Sequence, residues 1–350
     1  MVVLPKNDLC HALVLQTEGR NTGKIIDLET LSYQKASAAR AQMTSLIKRQ
    51  GRNTRGVHQA SKTTQDLREI LSMLWADLVQ PVLDALGYTN KPPPSQLPHI
   101  TWCLTGPLTS LPVHAAGDYG KPDCALFDYA ISSYTPNLSS LLVPPADLSR
   151  STGMVAVSQK STSGMETLPG TQPELDQICL RTKDTMPFTR IDGDQATPSA
   201  VLTAMERHSW VHLACHASQN PKKPTASAFH LHGGPLDLAA ITRKQLKHAD
   251  LAFLSACQTA TGDHDLPEEA VHLAAGMIVA GYRRVIATMW SINDEDAPLI
   301  ADKFYAYMLD DTIPDVNKAA KALHFAVECL RNEVGVKEFV RWVPYIHIGL

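Results

Sequence analysis

The sequence predicts an α/β fold with a mostly parallel sheet flanked by helices, and three observations predict it. Short apolar runs alternate with helical periodicity after Gly153, capping residues stand where those helices begin and end, and the composition is that of a folded globular chain. The runs at Met154–Val157, Phe188–Ile191, Trp210–Ala214, Leu251–Ser255 and Val285–Met289 read as strands. The patterns near Pro173–Lys183, Pro198–His208, Pro267–Ala280 and Glu295–Leu309 read as the helices between them. Thr197 before Pro198 is an N-cap followed by a first-turn proline, and Gly281 stands where a helix ending near Ala280 needs a left-handed residue.

The first half is less regular. Leu67, Ile70, Leu71, Leu74, Trp75, Leu78, Val79, Val82, Leu83 and Leu86 recur at helical spacing, with Pro81 a kink or restart and Gly87 a stop. Pro92–Pro94 forms a rigid connection, His99–Pro112 reads as two strands about a Gly106-Pro107 turn, and Tyr129–Ser133 as a further strand. A Ser-, Pro- and Thr-rich loop covers Pro144–Thr152. The Gly19–Gly23 and Gly51–Gly56 segments are surface turns that match no phosphate-binding loop, and the bases Arg40, Lys48, Arg49, Arg52 and Arg55 form a solvated face.

Composition narrows the function classes. Of 350 residues, 44% are hydrophobic and 19% charged, which excludes wholesale disorder, and a net charge of −3 supplies no field to draw in nucleic acid or anionic lipid. No run of about 18 apolar residues predicts a membrane span, and the start lacks a signal-peptide core, so the expected place is the cytoplasm. Seven scattered cysteines without CxxC pairs fit a reducing compartment better than a disulfide framework. His208, His212, Cys215, His216, His230 and His232 do not make a metal set, because residues four apart on a strand stand too far apart for one ion. No metal and no cofactor are expected. Trp102, Trp210, Trp290 and Trp342 read as core residues.

Reactive groups in an open α/β sheet collect at the carboxyl ends of strands. Two strands end in suitable residues, one in His216 and one in Cys257. As parallel neighbours they would bring an imidazole and a thiol into one crevice, the pair a thiol nucleophile needs. Spacing alone leaves open a buried, inert cysteine.

The segments His212–His216, Ala249–Gly262, Glu268–Met277 and Ala280–Ile286, with Met289-Trp290 and Asp294, resemble the CHAT domain. The resemblance extends upstream through Trp75–Gly87, Trp102–Gly117, Ser133–Leu141 and Leu168-Pro169-Gly170-Thr171, and downstream to Trp342-Val343-Pro344-Tyr345. It covers about residues 65–350. CHAT domains often follow tetratricopeptide arrays in bacteria and filamentous fungi. The resemblance implies a caspase-haemoglobinase fold, shared with caspases, gingipains and separase, with an N-terminal pseudo-caspase-like subdomain. The implied organisation is an extension over 1–64, contributing a strand and a helix, an N-terminal subdomain over 65–150 and a catalytic subdomain over 151–350.

The resemblance also implies a cysteine endopeptidase, with Cys257 as nucleophile, His216 as acid and base, and backbone N–H groups of Cys257 and Ala217 holding the oxyanion. Relatives usually carry glycine where this chain has Ala217, a position at which a Cβ can obstruct a left-handed backbone. The loop Ser291–Asp296 is similar to one in separase that carries an acidic specificity residue, which implies Asp294 first and Asp296 second as the contact for a basic P1 side chain. Capping of the following helix is the competing role for Asn293 or Asp294. The implied partners are a protein or peptide substrate and a tetratricopeptide-type regulator, with neither nucleic acid nor membrane. The alternative function is a catalytically idle caspase-like module acting in protein–protein interaction or regulation.

Overall fold

The computed structural model describes residues 2–6, 9–15, 23–50, 57–142, 152–220, 222–244, 246–258, 269–310 and 318–349. The chain divides into two units, Met1–Leu138 and Ser139–Leu350.

The first unit contains β1 (Val2–Lys6), β2 (Leu9–Leu15), β3 (Gly23–Leu28), α1 (Tyr33–Gln50), α2 (Val57–Leu74), α3 (Gln80–Leu86), β4 (His99–Leu104) and β5 (Ile131–Tyr134). Its strands lie in the order β5-β4-β1-β2-β3, with β5, β4 and β1 parallel and β2 and β3 added antiparallel. Residues 1–64 therefore contribute three strands and α1 as well as the start of α2, more than the strand and helix expected, and α2 runs through position 64.

The periodicity read over Leu67–Leu86 is one continuous helical path. A π turn at Trp75–Val79 joins α2 to α3 just before Pro81, which has no N–H to give a regular turn. Gly87 ends it at φ 78°, with its N–H on the Asp84 carbonyl at 3.1 Å and that of Tyr88 on Leu83 at 2.9 Å. The second strand expected after Gly106-Pro107 does not form. Residues Gly106–Ser110 and Val113–Ala115 make 3₁₀ turns instead, because Pro107 and Pro112 each remove a donor that a ladder would need.

The second unit contains β6 (Met154–Ser158), α4 (Thr171–Thr182), β7 (Phe188–Asp192), α5 (Pro198–Met205), β8 (Trp210–Ser218), β9 (Ala228–Leu231), β10 (Gly234–Asp237), α6 (Leu238–Thr242) and β11 (Leu251–Gln258). It continues with α7 (Glu269–Val279), β12 (Arg284–Thr288), α8 (Ala297–Met308), α9 (Ala319–Val334), α10 (Phe339–Trp342) and β13 (Tyr345–Gly349). Every strand expected after Gly153 is present. With β13 added they form the order β7-β6-β8-β11-β12-β13, parallel except for β13. This is an α/β fold with a mostly parallel sheet, as the alternation predicted.

The β9–β10 hairpin, α9 and β13 were not anticipated. β9 pairs with His216–Ser218 on the edge of β8 that β6 occupies from Trp210 to Ala214. Near-continuous burial of β6, β8, β12 and β13 explains their apolar runs, and Trp102, Trp210, Trp290 and Trp342 are core residues. At the amino end of the sheet the Asp250 carboxylate accepts from Arg284 Nη1 at 2.8 Å and from Trp210 Nε1 at 3.4 Å, tying β8, β11 and β12 together. Burial raises the Asp250 carboxyl from its ordinary value, opposed by the Arg284 charge.

Of the other expectations, most of the Pro144–Thr152 loop, the Gly51–Gly56 turn, Arg52, Arg55 and the start of the helix near Pro267 lie outside the described residues, as does the Gly19–Gly23 turn before Gly23. Arg40 and Lys48 are half-buried. Among the described residues no helix is long and apolar enough to cross a membrane.

Thr197 caps α5 as expected, its side chain accepting from the Ala200 N–H at 3.3 Å. Thr197→Ala should lower unfolding stability by about 1 kcal/mol, with the denaturant slope unchanged. Urea titration of the two proteins measures this directly.

Candidate active site

The sheet order defines where a site can form. From β6 the chain moves outward to β7, then returns past β6 to β8 and continues through β11 to β12. The strand order therefore reverses between β6 and β8, and the carboxyl ends of these strands border the crevice such a reversal opens.

Both β8 and β11 run further than their apolar cores. The ladder between them pairs residues from Leu251↔Trp210 to Gln258↔Ala217 and includes Cys257↔His216. Positions 216 and 257 thus lie level on neighbouring parallel strands, about 4.8 Å apart in the direction of strand pairing. At Cys257 the description covers the backbone alone. On its other side β11 is paired to β12 only as far as Phe253, so its last residues have β8 as their ladder partner.

His216 is fully buried. Its Nε2 lies 2.7 Å from the carbonyl oxygen of Glu166, in the segment between β6 and α4. A carbonyl can only accept, so Nε2 carries a proton, and in the neutral ring Nδ1 is the nitrogen with the lone pair. Nδ1 is buried and has no hydrogen-bond partner among the described residues. The ring is therefore oriented through a backbone oxygen, and Nδ1 is the nitrogen left for a further partner. The Glu166 carbonyl was not foreseen from the sequence, since a backbone acceptor leaves no mark on residue type.

The β6–α4 segment that supplies this oxygen is tied down near both ends. Leu168 N–H donates to the Lys160 carbonyl at 2.8 Å, and the Thr171 hydroxyl donates to Leu168 at 2.9 Å and accepts from Ser158 at 3.1 Å.

Asp294 reaches the same segment. Its Oδ2 accepts from the Gly170 N–H at 2.5 Å, so it serves the start of α4 rather than capping the helix that follows it in sequence. Gly170 is required by close approach: a Cβ there would stand 2.2 Å from the Asp294 carbonyl oxygen. Burial holds the half-buried Asp294 carboxyl above the ordinary carboxylate range. The Gly170 N–H opposes this, Glu174 and Glu295 add to it, and positive charge on His216 works against it.

Asp296 is engaged elsewhere. Its buried carboxylate takes both Nε and Nη2 of Arg341, the former at 2.9 Å, which fastens the 291–296 loop to α10. Asn293 Oδ1 accepts from the Glu295 N–H at 3.3 Å. Ala217 is buried in extended backbone inside the ladder, opposite Gln258 on one side and Phe229 on the other. A Cβ is unobstructed in that extended conformation, so position 217 does not require glycine.

His230 is the register partner of His216 on β9, and its Nε2 lies 2.7 Å from the Ser218 hydroxyl. Burial, and next the His216 charge, lower its proton affinity. His208 bonds Thr189 and the Ala204 carbonyl, and His212 bonds Glu174 and Tyr305, so these histidines serve separate structural contacts.

The family model of the CHAT domain matches residues 68–350. No curated protein matches the sequence. Among solved structures, a chain of the Saccharomyces cerevisiae separase–securin complex is similar over 100% of this chain at 10% sequence identity, with a TM-score of 0.61. This protein spans 30% of that chain. A chain in the complex of the Porphyromonas gingivalis RgpB pro- and mature domains is similar over 81% of this chain and 68% of its own, at 7% identity and a TM-score of 0.49.

The Gly170 contact yields a direct test. Gly170→Ala should push the 291–296 loop off the start of α4 and lower stability by about 1–3 kcal/mol. Chemical denaturation reads the stability, and amide exchange at residue 170 should speed up as its N–H loses Asp294.

Proposed function

The chain belongs to the CHAT-domain family, with an α/β fold of the caspase-haemoglobinase type, and on that premise we propose that it is a cysteine endopeptidase whose dyad is Cys257 and His216. The observation that carries the reading is the β8–β11 register, which sets positions 216 and 257 level at the carboxyl end of the sheet. A Nε2–H imidazole with an unengaged Nδ1 supports it. In the proposed reaction Nδ1 takes the thiol proton, the thiolate attacks the scissile carbonyl carbon, and the same nitrogen protonates the departing amine. Water then hydrolyses the thioester. The oxyanion is received by backbone N–H groups, that of Cys257 first. Ala217 is the weaker donor, since it lies between two paired strands.

The reading extends to specificity through Asp294, which bonds Gly170 through one oxygen and keeps the second for an arginine or lysine at P1. Asp296 is the lesser candidate because Arg341 occupies its carboxylate. The unit over 1–138 serves on this reading as a pseudo-caspase-like companion, since His216, Cys257, Asp294 and Asp296 all lie beyond it. A tetratricopeptide-type partner acts as regulator, and the cytoplasm is the proposed compartment.

One observation favours a second reading, a resting or idle caspase-like module that works through protein–protein contact: the His216 ring is fully buried.

A peptide library with a thiol-directed probe separates the two. Cys257→Ala and His216→Ala should abolish both cleavage and probe labelling, whereas Cys215→Ala, buried on the adjoining position, should retain them. Absence of labelling under every condition, with the protein folded, would leave the idle module standing.

Asp294→Asn keeps an acceptor for Gly170 and removes the charge. It should reduce kcat/KM for an arginine substrate by about 10- to 100-fold, the worth of one charge-assisted hydrogen bond, and leave neutral P1 substrates nearly unaffected. In the wild type the arginine preference should fade on acidification at a pH above the ordinary carboxylate range, because Asp294 gains its proton early. A pH series of the arginine-to-neutral rate ratio measures it.

A further inference from the structure

Four elements carry the proposed site at or near their ends: α4 begins at the segment that holds Glu166 and Gly170, β8 carries His216 two residues before its end, β11 reaches Cys257, and α8 follows the Asp294 loop. All four meet at one buried histidine. His212 lies on β8, four residues before His216 and therefore on the same face of the strand. Its Nε2 is 3.1 Å from Glu174 Oε1 on α4, and its Nδ1 is 3.2 Å from the Tyr305 hydroxyl on α8. Its ring stacks on Phe253 of β11 with centroids 4.7 Å apart and planes at 26°, and Phe253 is its register partner. Glu174, His212 and Tyr305 are each no more than 1% exposed.

Burial of a carboxylate and an imidazole is hard to explain by stability. Apolar residues of similar volume usually hold a core at least as well, whereas directional hydrogen bonds fix one relative placement of the elements they join. The bonds form a consistent chain when the tyrosine donates to Nδ1 and Nε2–H donates to the carboxylate. Glu174 sits one turn into α4, and its N–H donates to the Gly170 carbonyl, so the chain terminates beside the residue that holds Asp294.

We infer that Glu174, His212 and Tyr305 are positioning residues, which lock α4 and α8 onto β8 so that the Glu166 carbonyl meets His216 and Gly170 meets Asp294. The inference rests on the dyad reading for its catalytic meaning, but its geometric content is testable without turnover.

The test is NMR of histidine-labelled full-length protein, following the His216 Nε2–H proton assigned by its absence in His216→Ala. In the wild type this buried, hydrogen-bonded proton should be visible and protected from exchange with water. The apolar combination Glu174→Leu, His212→Phe and Tyr305→Phe preserves packing volume, and it should lose the resonance while remaining folded. Tyr305→Phe alone removes one hydroxyl and should give a smaller loss of protection, so the question stays decidable if the triple variant does not fold. Glu174→Gln retains an acceptor and should keep the signal. Thr197→Ala, which removes the α5 cap, is the control for general destabilisation and should also keep it. Wild-type protection in Tyr305→Phe, and in the triple variant where it folds, would overturn the inference, as would equal loss in the Thr197→Ala control. Peptide cleavage by Cys257→Ala is assayed in parallel: activity there would refute the dyad while leaving the positioning result intact.

Discussion

The register between β8 and β11 is the constraint on which the rest depends. A slip by one residue would turn every side chain of a strand to the other face of the sheet. Two features resist it. The buried Asp250 carboxylate holds Arg284 and Trp210 at the amino ends of three strands, and the interior of β8 leaves no solvent-facing side on which a shifted pattern could settle. The polar clamp is at one end of the sheet, and the residues of chemical interest are at the other. Between them the ladder acts as a ruler.

A second constraint lies in the segment from β6 to α4. One of its carbonyls orients His216, and the N–H at its far end holds Asp294. These contacts belong to different functions, an imidazole tautomer in one case and the placement of a carboxylate in the other. Their common support explains why a segment without regular structure is tied internally at Lys160, Leu168 and Thr171. It also explains why glycine is needed at position 170, where the 291–296 loop comes closer than a side chain would permit.

The sequence was most legible where local chemistry and tertiary demand agree. Buried parallel strands need unbroken apolar runs, so β6, β8, β11 and β12 were visible, as were the Thr197 cap and the positive-φ ends at Gly87 and Gly281. It misled at Gly106-Pro107, where a turn signal was read as a hairpin although the prolines on either side deprive a returning strand of donors. The β9–β10 hairpin was missed because its strands are four residues long and too short for a periodic pattern.

By itself the sequence determined the α/β class, the order of the second unit's strands along the chain, and the candidacy of His216, Cys257 and Asp294. These follow from side-chain period and motif text, which are properties of neighbours in the chain. Only the tertiary structure decided what stands beside what: Asp294 at the start of α4, Asp296 on Arg341, His216 under the Glu166 carbonyl, and Glu174 with Tyr305 on either side of His212. The physical reason is that hydrogen bonds between residues 38 to 124 positions apart depend on how helices settle on a sheet, and no local pattern in the chain encodes that packing.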